Sequence, residues 1–371
     1  MKRILFTIPN VDTAGSGKAL RNIARGAAAA GWDVHIMMEH TRGKLAAELQ
    51  SEFTVHTCTY ITAMRPFSKL FSGAWRVSRQ FRRIAPNLIH SFNYMSEYSE
   101  PLAAHLAGIP WVFTKKNMSW KGKAYNQWRL RSALAKAIIV QNTDMQTLFY
   151  PNSKKIHLIP RGVDVAYFSQ TSTSANGQSP DLFNNDKRTI LMVANLVPVK
   201  GVEDVITAFA HANAAQNNWQ LAIVGDTELD VEYVKQLRQD VVELNLEHDV
   251  LFTGKQHDVR PYLAKSELFV LPTRNEGRKE GSPVATLEAM AAGLVVLGSA
   301  VPGIVDQLAK YPEFLFEAGN PHALAETLKP LLTNTTEQNS TIGQTFFNHC
   351  TSSFSLEEEV RKHLSVYHKI T

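Results

Sequence analysis

Long apolar runs are missing from this chain of 371 residues. No stretch of 18 or more apolar residues occurs, so no helix is expected to cross a membrane. Cysteine is scarce: Cys58 and Cys350 stand alone and far apart. They form neither a disulfide framework nor a metal-ligand spacing, which fits a reducing cytoplasm. The histidines are scattered without an HExxH or Cys/His pattern, so no metal is expected. His35, His56 and His90 fall in or beside strand patterns and read as structural. Zinc-finger, helix-turn-helix and RNA-binding signatures are absent, which argues against nucleic acid as a partner. A Walker A loop is absent too, because the spacing around Gly17-Lys18 is wrong. The start, MKRILFTIPN, is basic, but its apolar run stops at Pro9 and reads as a first strand rather than a leader.

What is present is ordinary globular material, 44% hydrophobic, at a length that suggests two domains. The charge is uneven. Residues 1–170 hold 23 of the 39 basic and 9 of the 34 acidic residues, so a basic half precedes an acidic one. Such an asymmetry implies different partners for the two halves.

Short apolar runs alternate with helical patterns, which predicts parallel sheets with crossover helices. In the first half, strands are expected at 3–8, 33–38, 87–92, 111–116 and 137–142, with a helix from Gly17 to Ala30 and a closing segment at 155–164. Residues 171–187, rich in Ser, Asn and Thr, read as a linker between a domain over 1–170 and one over 188–353. The second half repeats the pattern: strands at 189–196, 221–226 and 249–254, and helices from Gly201 to about Gln216 and over 231–244. A last helix is expected near Leu356 to Ile370, from apolar residues at helical spacing. The fold class is α/β, two Rossmann-like doubly wound domains, with ligands expected at the carboxyl ends of the sheets, in a cleft between the domains.

Residues 268–303 carry the most chemistry. FVLP reads as a buried strand, 273–280 as a polar loop, and Ser282-Pro283 as the start of a helix, with Ser as N-cap and Pro at the first helical position. Gly293 stops that helix and LVVL follows as a strand. Glu280 and Glu288 bracket the turn with seven residues between them. A helix N-terminus behind a parallel strand is an anion site. Carboxylates beside it suit a ligand with both phosphates and hydroxyls, which describes a nucleotide-sugar. Glu288 stands in an otherwise apolar helix, where a carboxylate needs a partner.

Lys200, after Asn195 and before Gly201, reads either as a surface lysine or as the cation that neutralises a diphosphate. Gly15-Ser16-Gly17 reads as a tight βα turn or as its counterpart in the first half. Residues 65–83 mix Arg and Lys with Phe67, Leu70, Phe71, Trp75 and Phe81. They read either as a helix packed on its own domain or as a surface that meets anionic lipid. Lys121, Lys123, Arg129, Arg131, Trp120 and Trp128 would extend that surface.

Taken in order, these motifs resemble the retaining glycosyltransferases of family 4, which share the GT-B architecture. The strongest element is Glu280-Gly-Ser-Pro-Val-Ala-Thr-Leu-Glu288-Ala-Met-Ala-Ala-Gly293, similar to the family's E-x7-E signature. Supporting it are Ile159-Pro-Arg-Gly-Val-Asp164 with Phe168, Val199-Lys200-Gly201, Val224-Gly-Asp226, Phe252-Thr-Gly254 and Pro302-Gly303-Ile304 before Asp306. The resemblance implies a donor-binding second half and an acceptor-binding first half, with the C-terminal helix (354–371) returning to the first. It implies Glu288 on the ribose, Glu280 on the donor sugar, Gly281 and Ser282 facing sugar and phosphate, and Lys200 on the leaving diphosphate. Val284, Asn195 and Gly254 would line the donor, and Gly15, Ser16 and Gly17 would lie near the diphosphate. No divalent metal and no cofactor are implied.

Two positions depart from the family pattern. Asn195 stands where many members have Arg, so Arg278 or Lys279 is expected to supply that charge, with Arg274 and Arg161 as further candidates. Lys116 or Asn117 stands where many members have His, and Lys116 is carried as a catalytic candidate. The implied function is transfer of a hexose from a UDP- or GDP-sugar to a glycan or lipid-linked acceptor, in cell-surface polysaccharide synthesis at the cytoplasmic membrane face. A non-catalytic nucleotide-binding subunit and a sugar epimerase of the same fold stay open as alternatives.

Overall fold

A computed structural model describes residues 1–11, 14–118, 120, 124–170, 184–276 and 281–371. The chain forms two compact units, residues 1–161 with 357–371, and residues 162–356. The passage between them falls at Arg161–Gly162, ahead of the stretch read as a linker, of which 171–183 lie outside the described residues.

The first unit is built on seven parallel strands: β1 (Arg3–Thr7), β2 (Asp33–Met38), β3 (Thr54–Thr57), β4 (Leu88–Ser91), β5 (Trp111–Lys115), β6 (Ala137–Val140) and β7 (Ile156–Leu158). Their order is β3-β2-β1-β4-β5-β6-β7. Leu5 of β1 pairs with His35 on one side and Ile89 on the other. Such central strands are buried on both faces, which is why they read as unbroken apolar runs rather than alternating ones. Helices α1 (Ala14–Ala29), α2 (Lys44–Glu52), α3 (Phe67–Ile84), α4 (Ser99–Ala107) and α5 (Tyr125–Leu134) cover the two faces. Leu20, Ile23, Ala24 and Ala27 bury the apolar side of α1.

The second unit repeats the scheme with β8 (Arg188–Val193), β9 (Trp219–Val224), β10 (Val250–Gly254), β11 (Leu268–Leu271), β12 (Val295–Ser299) and β13 (Leu315–Phe316), in the order β10-β9-β8-β11-β12-β13. Its helices are α6 (Val165–Ser169), α7 (Val202–His211), α8 (Val231–Glu243), α9 (Arg260–Ala264), α10 (Val284–Ala291), α11 (Ile304–Gln307), α12 (Pro321–Thr333) and α13 (Thr336–Ser353). The final helix, α14 (Leu356–Ile370), belongs to the first unit from Glu357 onward, where Val366 and Tyr367 join its core.

Some expected boundaries move. The helix expected from Gly201 to about Gln216 stops at His211, and Asn213 and Asn218 take left-handed backbone beyond it (φ 52 and 64). Asparagine tolerates that region and ends helices there. The strand expected at 189–196 leaves the sheet at Val193. Residue 194 onward forms the loop that carries Lys200, a loop that sequence periodicity alone could not separate from the strand.

Helix α3 has two apolar faces. Leu70, Ala74, Val77 and Phe81 are buried in the unit, while Phe67, Phe71 and Trp75 are 55–58% exposed. The helix therefore packs on its own domain and still leaves a second aromatic stripe in solvent. Burial decides the expected energetics. In urea unfolding, Phe81→Ala should cost about 3–5 kcal/mol. Phe71→Ala should stay within about 0.5 kcal/mol of the parent. Equal losses would contradict the assignment of faces.

Candidate functional site

Doubly wound sheets bind ligands where the strand order reverses, outside the carboxyl ends. In the second unit that point lies between β8 and β11, which pair only through Ile190–Leu268 and Leu191–Phe269. The chain leaving β8 carries Asn195 and Lys200, and the chain leaving β11 carries the E-x7-E segment. Sheet topology thus brings together residues about 80 apart in sequence.

Two contacts hold these loops against each other. The amide of Arg274 donates to the Val199 carbonyl at 2.9 Å. Gly201, at φ 63, sits so close to Pro272 that a Cβ there would lie 2.4 Å from its carbonyl oxygen. Only glycine fits both the backbone angle and the space. Lys200 ends the short 3-10 turn Pro198–Lys200 just before this glycine. Burial draws its ammonium down to about 8.

Arg274, a candidate for the missing cation, is committed elsewhere. It makes a fork to Asp204 (2.6 and 2.9 Å) and reaches Glu203 at 2.8 Å. These carboxylates lie in the first turn of α7, so the arginine ties the β11 loop to that helix. Arg161 likewise faces Glu359 at 3.3 Å in the first unit. Arg278, Lys279 and Glu280 lie outside the described residues.

Beyond the loop, α10 begins at Val284, with Pro283 rather than Ser282 at the N-cap and no side-chain cap. The expectation of a serine cap is therefore corrected. Ser282 is used differently: its hydroxyl accepts from Gln307 Nε2 at 3.3 Å. The same amide donates to the Pro283 carbonyl at 2.8 Å, and its oxygen accepts from Thr286 Oγ1. Gln307, 1% exposed, thus clamps the start of α10 from behind. The sequence reading passed over it because a lone Gln on a short helix carries no pattern. Gly303 packs on the Gly281 carbonyl so tightly that a Cβ would lie 2.5 Å away. Gly281 is buried, Ser282, Val284 and Glu288 are half-buried, and Asn195 is exposed. Gly254 ends β10 at φ 72 with open space where a side chain would be. The first N–H groups of α10 have no acceptor within the helix, as at any helix start.

In the first unit, Gly15, Ser16 and Gly17 lie inside the first turns of α1, not in a turn ahead of it. Packing accounts for Gly17, where a Cβ would meet Leu45 Cδ2 at 2.5 Å, while Gly15 faces open space. Lys116 follows β5. Its ammonium donates to the Phe92 carbonyl at 2.7 Å and sits 4.5 Å from the Phe92 ring centroid. Burial, with the Arg161 charge nearby, drives its pKa well below the usual lysine range.

Beside it lies a buried polar network. Glu100, fully buried, accepts from Thr7 Oγ1 (2.5 Å), Ser91 Oγ (2.8 Å) and Trp111 Nε1 (3.1 Å). Burial pushes its carboxyl up. Arg131 donates to the Glu97 carbonyl at 2.6 Å and to its carboxylate at 3.3 Å. Arg131 and Trp128 were expected on the basic surface; both are buried, at 0% and 3% exposure, so that surface excludes them. Lys121 and Lys123 lie outside the described residues. Lys115 is enclosed too, donating to Asn117 and lying 4.2 Å from the Trp128 ring, with its pKa drawn down to about 7 by burial.

These two sheets, each with a reversal of strand order, define a protein of two doubly wound domains. Family models agree. Residues 13–167 match the model "Glycosyltransferase Family 4" and residues 177–345 match "Glycosyl transferases group 1". The chain belongs to this glycosyltransferase family and is a glycosyltransferase of the GT-B class.

Among curated relatives, the putative glycosyltransferase EpsF of Bacillus subtilis is 29% identical over 207 residues, 52% of each chain. An uncharacterized glycosyltransferase of Haemophilus influenzae is 25% identical over 90% of this chain and 91% of its own. The UDP-Gal:alpha-D-GlcNAc-diphosphoundecaprenol alpha-1,3-galactosyltransferase of Escherichia coli is 26% identical over 68% of this chain and 66% of its own. The chain spans about half the length of the first of these and nearly all of the second.

Two solved structures share the fold at 18% identity. The glycosyltransferase of Rickettsia africae ESF-5 has a TM-score of 0.85, with 100% of this chain and 98% of that one covered. Anabaena Alr3699/HepE in complex with UDP and glucose scores 0.78 with both chains fully covered. No helix among the described residues is long and apolar enough to cross a membrane.

The arginine tie yields a test that separates scaffold from chemistry. Arg274→Ala strands the Asp204 carboxylate and should cost about 3 kcal/mol in unfolding experiments. Adding Asp204→Asn should recover most of that loss. If Arg274→Ala left stability intact and weakened only donor binding, Arg274 would be the phosphate cation after all.

Proposed function

We propose that this chain is a retaining glycosyltransferase that moves a hexose from a UDP- or GDP-sugar to a glycan or lipid-linked acceptor of a cell-surface polysaccharide. The observation that carries the reading is the contact of the Lys200 loop with Pro272 and Arg274, just after β11, at the strand-order reversal of the second sheet. In this reading Glu288 binds the ribose hydroxyls and Glu280 the donor sugar. Lys200 and the α10 amides neutralise the diphosphate as it leaves, with Arg278 or Lys279 adding the charge that Asn195 lacks. Gly254, Asn195, Val284, Gly281 and Ser282 line the nucleotide.

The first unit takes the acceptor, with Gly15 to Gly17 near the phosphates and Lys116 hydrogen-bonding donor or acceptor. The acceptor oxygen bonds to the anomeric carbon as the bond to the diphosphate breaks on the same face. Its proton goes to a departing phosphate oxygen. No divalent ion is required, so turnover should persist in EDTA. Retention is read by NMR of the product's anomeric configuration; an inverted product would sink it.

The donor is found with a thermal-shift panel of UDP-, GDP- and ADP-sugars. A cognate donor at about 100 times its Kd should stabilise the protein by about 2.7 kcal/mol. No shift with any nucleotide-sugar would remove the nucleotide-binding reading itself.

Lys200 gives a pH signature. Its lowered pKa of about 8 means that it is charged below that pH and neutral above it. kcat/KM for donor, which reports the free enzyme, should therefore fall as pH rises through about 8. In the bound state the diphosphate stabilises the ammonium, so kcat should hold to higher pH. Lys200→Arg should move the kcat/KM limb upward, since guanidinium stays charged. A flat profile to pH 10 in the parent would reject the role.

The proposed reading includes a peripheral membrane position; what supports it is α3, whose exposed Phe67, Phe71 and Trp75 stand among Arg65, Lys69, Arg76, Arg79, Arg82 and Arg83. Aromatic residues with flanking cations suit an anionic bilayer surface. The protein should sediment with anionic vesicles in low salt and be released by high salt. Trp75→Glu should weaken binding at least tenfold. Absence of sedimentation in the parent would count against the membrane position and leave the enzyme reading standing.

A further inference from the structure

Gln307 spends its side chain on a helix other than its own. It closes the short helix α11 and is 1% exposed, yet both polar atoms of its amide are bonded at the start of α10. Nε2 donates to the Pro283 carbonyl at 2.8 Å and to Ser282 Oγ at 3.3 Å, and Oε1 accepts from Thr286 Oγ1. A carbonyl only accepts, so the nitrogen must face Pro283 and the amide has one orientation.

The residue is held from behind as well. Its main-chain carbonyl accepts from His349 Nε2 at 3.2 Å. That imidazole, on α13, stands edge-on to Tyr311 and Phe354, with 5.5 and 5.3 Å between centroids. Gly303, at the other end of α11, packs on the Gly281 carbonyl. Helix α11 therefore meets the turn ahead of α10 at both of its ends.

A scaffold needs no polar group for this. Burying an amide costs free energy unless its atoms are bonded, and an apolar side chain of similar volume would fill the space. What the amide adds is direction. It makes the Ser282 oxygen an acceptor on the α11 side, so the single hydroxyl proton of the half-buried Ser282 points away from Gln307.

We propose that Gln307 is a positioning residue for the diphosphate of the donor, acting through Ser282 by orienting that hydroxyl. The proposal rests on the donor reading above, in which Ser282 lines the nucleotide. It adds which end of the nucleotide Gln307 serves: the phosphates, not the ribose or the base.

The test is calorimetric titration of the full chain with UDP and GDP, and with uridine and guanosine as probes that lack the phosphates. Gln307→Met keeps an unbranched side chain of similar volume and removes the amide. Ser282→Ala removes the hydroxyl. Urea unfolding checks that each variant is folded. Each should weaken the diphosphate that the parent binds by about tenfold, the size of one hydrogen bond to a charged group. The matching nucleoside should bind as it does to the parent. Two changes on one path do not add, so the double variant should bind the diphosphate within about twofold of Ser282→Ala. Multiplied losses in the double variant, or parallel loss of nucleoside and diphosphate, are what a merely structural clamp gives, and either would overturn the proposal. So would parent-like diphosphate affinity in Gln307→Met. If Gln307→Met does not fold, Thr286→Val removes only the hydroxyl bonded to the amide and should weaken the diphosphate about threefold. Unchanged affinity there would overturn the proposal equally. Failure of the donor reading appears separately, as a parent protein that binds neither UDP nor GDP, and it would remove the proposal with it.

Discussion

The pairing of β11 with β8 is the constraint on which the second unit depends. It is short, two residue pairs long, yet it is where the sheet reverses its winding. The chains leaving these two strands go to opposite faces and open a corner between them. Everything assigned to the donor is placed by that corner: Lys200 from one strand, Gly281, Ser282 and the α10 N-terminus from the other. The close approach of Gly201 to Pro272 and the bond from Arg274 to Val199 fix the width of the corner.

The corner is braced by side chains that are bonded to one another. Arg274 spends its charge on Asp204 and Glu203, and Tyr233 donates to Glu203 from the next helix. Gln307 holds Ser282, Pro283 and Thr286 together. Buried polar groups of this kind are costly unless fully satisfied, and here they set geometry. Burial draws the Lys200 ammonium down to about 8 in the same corner.

Much of this was legible in the residues. Strand β2 and helix α14 fall on the expected boundaries, because an apolar run and a helical stripe both survive without tertiary help. Among the described residues of 268–303, the strand, helix and second strand fall where expected, since Gly293 and the apolar runs punctuate them; 277–280 of the expected loop lie outside the described residues. Capping did not follow the local rule: Ser282 yields the N-cap to Pro283 because Gln307, 25 residues on, takes its hydroxyl. Local propensity could not foresee a distant partner. The buried fate of Arg131 was hidden for the same reason. Its carboxylate partner, Glu97, lies 34 residues away, and a basic residue beside Trp128 reads as surface until the two are folded together. Helix α13 went unread because its polar stretch looks like loop, although it starts at a capping box between Thr335 and Gln338.

Lys200 at the diphosphate is the central claim, and nucleotide titration of the parent and Lys200→Met tests it most directly. The cognate nucleoside diphosphate should bind the variant at least tenfold more weakly, while the nucleoside and its ribose contacts with Glu288 should bind both proteins alike. Equal loss for nucleoside and diphosphate, or no loss for either, would contradict the placement of Lys200 and with it the donor corner.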